Sequence, residues 1–348
     1  MPTEPSQERS DSPAVALPRN GVVPTVRHPE AGWGTTSPIV VFMPWGDRRR
    51  AEVWVVAMTV VSALLTGCAS STADPASTGP VSSHTGNQST AKPAWIVADW
   101  AIADMEKAGL PSNLVTYFFD NPGTYLIVHS GKAKVDAAIP KATRVERFTS
   151  YATLQAAVSQ GSLMPGVSAL MYDNEAWSFT PPSEQSNPMQ YAAQAETLAH
   201  QHHLKIIFAP AANLAELGAA ANGAMDKYGN YLAQHLATGS RVSDVFDIQS
   251  QQAEGTPQFA SFVDQAVGQA RDANPGAILM AGIGPNPGGR TVTSTQVLDA
   301  LQSVRTQVSG FWLNLPAGTP ECPQCGRVQP QVAVQVLKSL ASSLGVQG

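Results

Sequence analysis

From residue 93 onward, short apolar runs alternate with longer amphipathic segments, and this alternation restricts the possible folds more than any other feature of the chain. The runs TYLIVH (124–129), RVERF (144–148), VSALMY (167–172), LKIIFA (204–209), VSDVFDIQS (242–250), AILMAGI (277–283) and GFWLNL (310–315) read as strands. Helical patterns cover 151–160, 189–203, 219–236, 259–273, 294–308 and 332–344. Strands that alternate with helices of this length form βαβ units, and those units build a parallel sheet. An eighth strand is expected near Trp95 or at 115–119. The predicted class is therefore α/β: a (β/α)8 TIM-like barrel, with allowance for an irregular or missing first strand. A doubly wound sheet is the alternative, but no Gly-x-Gly-x-x-Gly joins a first strand to a helix.

Within that frame the run 166–177 (GVSALMYDNEAW) carries the strongest functional signal. It ends in Asp173-Asn174-Glu175, followed by Trp177. Period-2 geometry puts residues 173 and 175 on one face, about 6.5–7 Å apart along the strand. In a barrel, inward-facing residues at the carboxyl end of a strand lie where active sites are built. Two acids on such a face are costly to bury without a use.

The other strand ends are polar too: Asn213, then Gln249, Gln251 and Glu254, then Asn286, and finally Trp312 and Asn314. Amides and carboxylates hydrogen-bond sugar hydroxyls, and an indole stacks on the C–H face of a pyranose. A carboxylic acid among apolar and aromatic neighbours is raised in pKa towards general-acid work. Glu175 is thus expected as general acid, with Asp173 as its orienting or electrostatic partner. Gln249, Gln251, Trp312, Asn314, Asn213, Trp177 and Tyr172 are expected as substrate ligands. Asn213, Glu254 and Asn286, each taken alone, read equally well as ordinary polar caps on a barrel rim. The loop from Trp177 through Phe179 and Thr180-Pro181-Pro182 reads either as a cleft wall or as a Pro-braced cover.

These strand ends resemble the carboxyl-terminal half of family 18 glycoside hydrolases, in particular the class III chitinase type, over about 165–316. The end of that family's Asp-x-Asp-x-Glu strand is matched by Asp173-Asn174-Glu175, and its Gln-x-Tyr by Gln249-Ser250-Gln251. Its Gly-Leu-Pro-Ala strand and Gly-rich loop are similar to Met280-Ala281-Gly282-Ile283 and Pro287-Gly288-Gly289. Its last strand, Gly-Gly-x-Met-x-Trp, is similar to Gly310-Phe311-Trp312. The resemblance implies a hydrolase in which Glu175 protonates the leaving oxygen and Asp173 positions the substrate acetamido group, the nucleophile in that family. Met171 stands in place of the family's first aspartate and Gln251 in place of its tyrosine, and the change at 251 puts the substrate-assisted step in doubt. A hydrolase with a different substrate and a barrel that only binds sugar both stay open.

The amino-terminal part of the chain concerns delivery. Arg48-Arg49-Arg50 precedes the apolar run 53–65, and Leu65-Thr66-Gly67-Cys68 closes it. A basic segment, a short apolar core and small residues make a secretory signal, and the run is too short for a convincing membrane span. Leu-Thr-Gly-Cys resembles the bacterial lipobox, which implies a lipidated Cys68 and an extracytoplasmic lipoprotein anchored to the cell membrane. The expected division is 1–42 as a disordered extension or mis-assigned start, 43–68 as signal peptide, 69–92 as a Ser/Thr/Pro/Gly tether, and 93–348 as the barrel.

With a net charge of −5 and no large Lys/Arg cluster, nucleic acid is excluded as a partner. The expected partners are a polysaccharide or oligosaccharide and the membrane, and the chain is expected to be a monomer. No cofactor is expected. No metal is expected either, because His200, His202 and His203 sit at a helix end without a suitably spaced acid or thiol. His129 ends a strand and is a further candidate for the mouth. Cys322 and Cys325 form a single C-x-x-C, read as a disulfide that pins the loop after the last strand.

Overall fold

The computed structural model describes residues 92–129, 133–217, 225–319 and 322–347. The expected extension, the signal segment with Cys68, and the tether up to residue 91 lie outside these described residues.

Eight strands close into a parallel barrel in sequence order. They are β1 (Ala94–Ala98), β2 (Thr124–Ile127), β3 (Thr143–Phe148), β4 (Ala169–Tyr172), β5 (Lys205–Phe208), β6 (Val245–Ile248), β7 (Ile278–Ile283) and β8 (Gly310–Leu313). Closure sets Ala94, Trp95 and Ile96 beside Gly310, Phe311 and Trp312. Gly310 is required there, because a Cβ would overlap the Ala94 carbonyl oxygen.

The intervening helices are α1 (Asp99–Lys107), α2 (Ser112–Phe119), α3 (Ala133–Ala138), α4 (Tyr151–Ser159), α5 (Pro182–Ser186), α6 (Pro188–Gln201), α7 (Lys227–Ala233), α8 (Phe259–Ala273), α9 (Ser294–Val304) and α10 (Pro330–Ser343). None of the described helices is long and apolar enough to cross a membrane.

The first strand is neither missing nor irregular, which corrects the allowance made above. Helix α1 begins at Asp99 directly after β1, so the strand and helix patterns run together in the sequence. The other candidate, 115–119, lies in α2. Trp95 packs edge-on against Phe118 and Phe119 of that helix, at 6.0 and 5.8 Å between ring centroids. The helix expected over 219–236 is described only as α7. Asp226 opens it by accepting from the Tyr228 and Gly229 N–H groups, and His235, with φ 53°, ends it in the left-handed region.

Strand register assigns every side chain to one of two faces. The inner row runs through Ala98, Ile127, Arg147, Met171, Ile207, Asp247, Met280 and Trp312. The outer row includes Trp95, Tyr172, Phe208, Phe246 and Phe311, all buried under the helices.

Candidate active site

Two residues beyond the inner row, the even-numbered strands carry His129, Asp173, Gln249 and Asn314. A layer of four side chains from alternate strands is how such barrels fill their interior, and here the topmost layer is wholly polar. Above it opens a cavity of about 880 Å³ at the carboxyl ends of the strands. Glu175, Trp177, Asn213, Gln249, Gln251, Trp312 and Asn314 all line it, seven residues expected from the sequence.

Asp173 does not line the cavity. It is completely buried. Its Oδ2 is 2.9 Å from Arg147 Nη1, and its Oδ1 accepts from Gln249 Nε2 at 2.9 Å. The same Gln249 nitrogen donates to the Ala209 carbonyl at 2.8 Å, so both of its hydrogens are committed below the floor. Gln251 Nε2 donates to Gln249 Oε1 at 3.4 Å, and a Cβ at Gly282 would overlap Gln251 Oε1. Glycine at 282 is what allows Gln251 to lie across the floor.

Tyr172 does not face the cavity, which corrects its placement among the expected cavity groups. Being one residue from Asp173, it faces the opposite way, towards the helices. Its hydroxyl donates to Glu184 Oε2 at 2.8 Å and accepts from Asn174 Nδ2 at 2.7 Å, while its ring stacks on Phe208 at 5.7 Å. Burial, reinforced by Glu184, pushes that hydroxyl far above its ordinary pKa.

Glu175 is half-buried. Asn213 Oδ1 accepts from the Ala176 N–H at 3.0 Å, so this rim amide braces the turn that presents Glu175. The loop that follows is both brace and wall. Trp177 Nε1 donates to Thr180 Oγ1 at 2.7 Å, and Gln185 Nε2 donates to the Trp177 carbonyl at 2.6 Å, while Trp177 and Phe179 face the cavity. Lys227 hydrogen-bonds Gln252 beside this rim. Burial lowers its ammonium pKa, against the opposing pull of Glu216, Asp226 and Glu175.

Glu254 and Asn286 serve the framework. Glu254 Oε1 accepts from the Gly284 N–H at 2.9 Å, and burial holds its carboxyl well above the usual range. Asn286 Nδ2 donates to the Pro316 carbonyl at 2.8 Å and the Cys325 carbonyl at 3.0 Å. It thereby pins the loop closed by the Cys322–Cys325 disulfide, whose residues form the opposite wall of the cavity.

His200 Nε2 lies 3.0 Å from Asp244 Oδ2, and no group of three or more potential metal ligands occurs among the described residues.

Solved structures similar to this chain include glycoside hydrolases, all distant. A GH18 chitinase from Pseudoalteromonas aurantia aligns over 72% of this chain and 99% of its own, at 9% identity and a TM-score of 0.43. A chitinase from Chromobacterium violaceum aligns over the same shares, 72% and 99%, at 12% identity and a TM-score of 0.37. A GH10 endoxylanase from a sugarcane soil metagenome aligns over 59% of this chain at 12% identity and a TM-score of 0.36, and this chain spans 65% of it. No family model and no curated protein matches the sequence. Since all three TM-scores lie under 0.5, the barrel assignment rests on the closed sheet itself and the chemistry rests on the residues.

Four residues at or beneath the mouth were not singled out by sequence reasoning: Trp100, Arg147, Asp247, and Asp99, the buried partner of the expected candidate His129. Arg147 had a readable signal, since Val145 and Arg147 share the inward face of β3. Asp247 lies on the inner row below Gln249, and its carboxyl oxygens have no hydrogen-bond partner among the described residues. Burial and then the neighbouring Asp173 push its pKa well above the carboxylate range. With Met171 on β4, the second carboxyl group near Asp173 comes from β6 instead.

Proposed function

We propose that the barrel mouth binds a polysaccharide or oligosaccharide and hydrolyses its glycosidic bonds, with Glu175 as general acid. One observation carries this reading. A single cavity places Glu175 among three indoles (Trp100, Trp177 and Trp312) and the amides of Asn213, Gln251 and Asn314. Flat aromatic faces and amide hydrogen-bonding groups around one accessible carboxyl suit a sugar chain. Asp173 acts from below the floor as an electrostatic partner, through Arg147 and Gln249.

A catalytically silent sugar-binding barrel is the second reading, and one observation favours it. Asp173 is tied into the floor and has no contact with the cavity. Wild-type protein and Glu175→Gln, incubated with chitin-type, peptidoglycan and α- and β-glucan substrates, separate the two. Release of reducing ends that falls about 10²–10⁴-fold in the variant is the expected result for loss of a general acid. Retarded migration in a glycan gel without any release would leave only the binding barrel.

The working location we propose is the outer face of the cell membrane, through lipidated Cys68. The basic segment, apolar run and Leu-Thr-Gly-Cys sequence support it. Cys68→Ala should move the expressed protein from the detergent phase to the aqueous phase, and equal partitioning of both forms would overturn the anchor.

A further inference from the structure

The β1–β2 side of the mouth holds a second pair of ionisable groups. His129 lines the cavity, and its Nδ1 lies 3.0 Å from Asp99 Oδ1. Asp99 is completely buried where β1 passes into α1, and it also accepts the Trp100 N–H at 2.5 Å and the His129 N–H at 2.6 Å. Two backbone donors therefore fix the carboxylate in place before the imidazole meets it. A carboxylate oxygen accepts from Nδ1–H, and that tautomer leaves the Nε2 lone pair available. The His129 side chain is 46% exposed although its partner is 0% exposed. An imidazole anchored from below and open above is arranged for proton transfer rather than for packing.

Glycoside hydrolysis needs a second group besides the acid, either a nucleophile or a base that activates water. Asp173 is bound by Arg147 and Gln249 beneath the floor, so the β4 strand does not offer one. His129 ends β2 and Glu175 follows β4, with only β3 between them. Two strand spacings are roughly 9–10 Å between backbones, and Glu175 lies two residues, about 6.5 Å, further up than the layer that holds His129. Both side chains line the same cavity, on separate strands with room between them for a substrate and a water, as inverting sites require.

We propose that His129, oriented by Asp99, is the general base of this site and that hydrolysis proceeds with inversion. Nε2 takes a proton from a water molecule as the water oxygen bonds to the anomeric carbon. The glycosidic C–O bond breaks, and the leaving oxygen takes the proton of Glu175. His129 ends protonated and Glu175 ionised, and exchange with solvent restores both. Asp99 is a positioning residue. The proposal rests on the hydrolase reading given above and adds its nucleophile and stereochemistry.

The test compares the full-length wild type, His129→Ala and Asp99→Asn on whichever glycan the wild type cleaves. Proton NMR of the first product should show the inverted anomer. His129→Ala should lose about 10²–10⁴-fold in kcat/KM. Azide should restore its turnover as a glycosyl azide, because an anion needs no base. Asp99→Asn should lower kcat more than it changes KM, with the same azide rescue. Melting curves of the variants check folding, and the half-exposed histidine can be truncated without opening the core. A retained anomer, or His129→Ala within about threefold of wild type, would overturn the base. Wild type that cleaves no glycan sinks both readings, whereas Glu175-dependent cleavage with retention sinks only this one.

Discussion

On the β4 side of the mouth Asp173 is buried against a guanidinium and a side-chain amide, whereas on the β1–β2 side Asp99 is buried against two backbone N–H groups and an imidazole. The first arrangement exists only while Arg147 and Gln249 are present. The second is mostly made by the backbone, as the chain turns from β1 into α1 and leaves β2. The difference decides what stays open to a ligand. Holding Asp173 consumes both hydrogens of the Gln249 amide and closes the floor, while holding Asp99 leaves the outer edge of His129 free.

Substitutions that remove one side at a time test this contrast. Arg147→Ala leaves the Asp173 charge buried without its guanidinium and should cost about 3–5 kcal/mol in urea unfolding at neutral pH. A loss under about 1 kcal/mol would mean that the β4 side does not depend on the ion pair. Asp99→Ala strands the Trp100 and His129 N–H groups and should cost about 2–3 kcal/mol by the same measurement. A larger loss than Arg147→Ala would reverse the ranking of the two sides.

Per pH unit the smallest effect, up to about 1.4 kcal/mol for each unit, concerns Asp247 under the β4–β6 floor. Burial and Asp173 raise its pKa in the folded chain above the unfolded value of about 4. Between those two values the folded form holds a proton that the unfolded form has lost, so stability falls as pH rises through that window. Asparagine cannot ionise. The stability of Asp247→Asn relative to wild type should therefore grow with pH above about 4, by up to about 1.4 kcal/mol per pH unit. Melting temperatures measured from acid to mildly alkaline buffer check this, and a difference that does not change with pH would mean that Asp247 ionises freely.

Local period accounts for most of what could be read in advance. Asp173 and Glu175 stood out because they alternate at the end of an apolar strand, and the same alternation assigns Tyr172 to the helix side. Trp100 was hidden where β1 meets α1 without a turn. His129 could be placed at a strand end, but its partner Asp99 lies 30 residues earlier in the chain. Cys322 and Cys325 read correctly as a disulfide, while the role of their loop as a cavity wall depends on Asn286, 39 residues before Cys325.

The sequence by itself determined the barrel and the strand end that carries the acids, because the periods of helix and strand are properties of neighbouring residues along one chain. Tertiary structure alone decided which polar groups face a ligand and which are consumed in holding one another. That division depends on hydrogen bonds across the closed sheet, such as Arg147 to Asp173, Gln249 to Asp173 and His129 to Asp99. Partners on different strands meet only after closure sets the register, and no local pattern encodes their meeting.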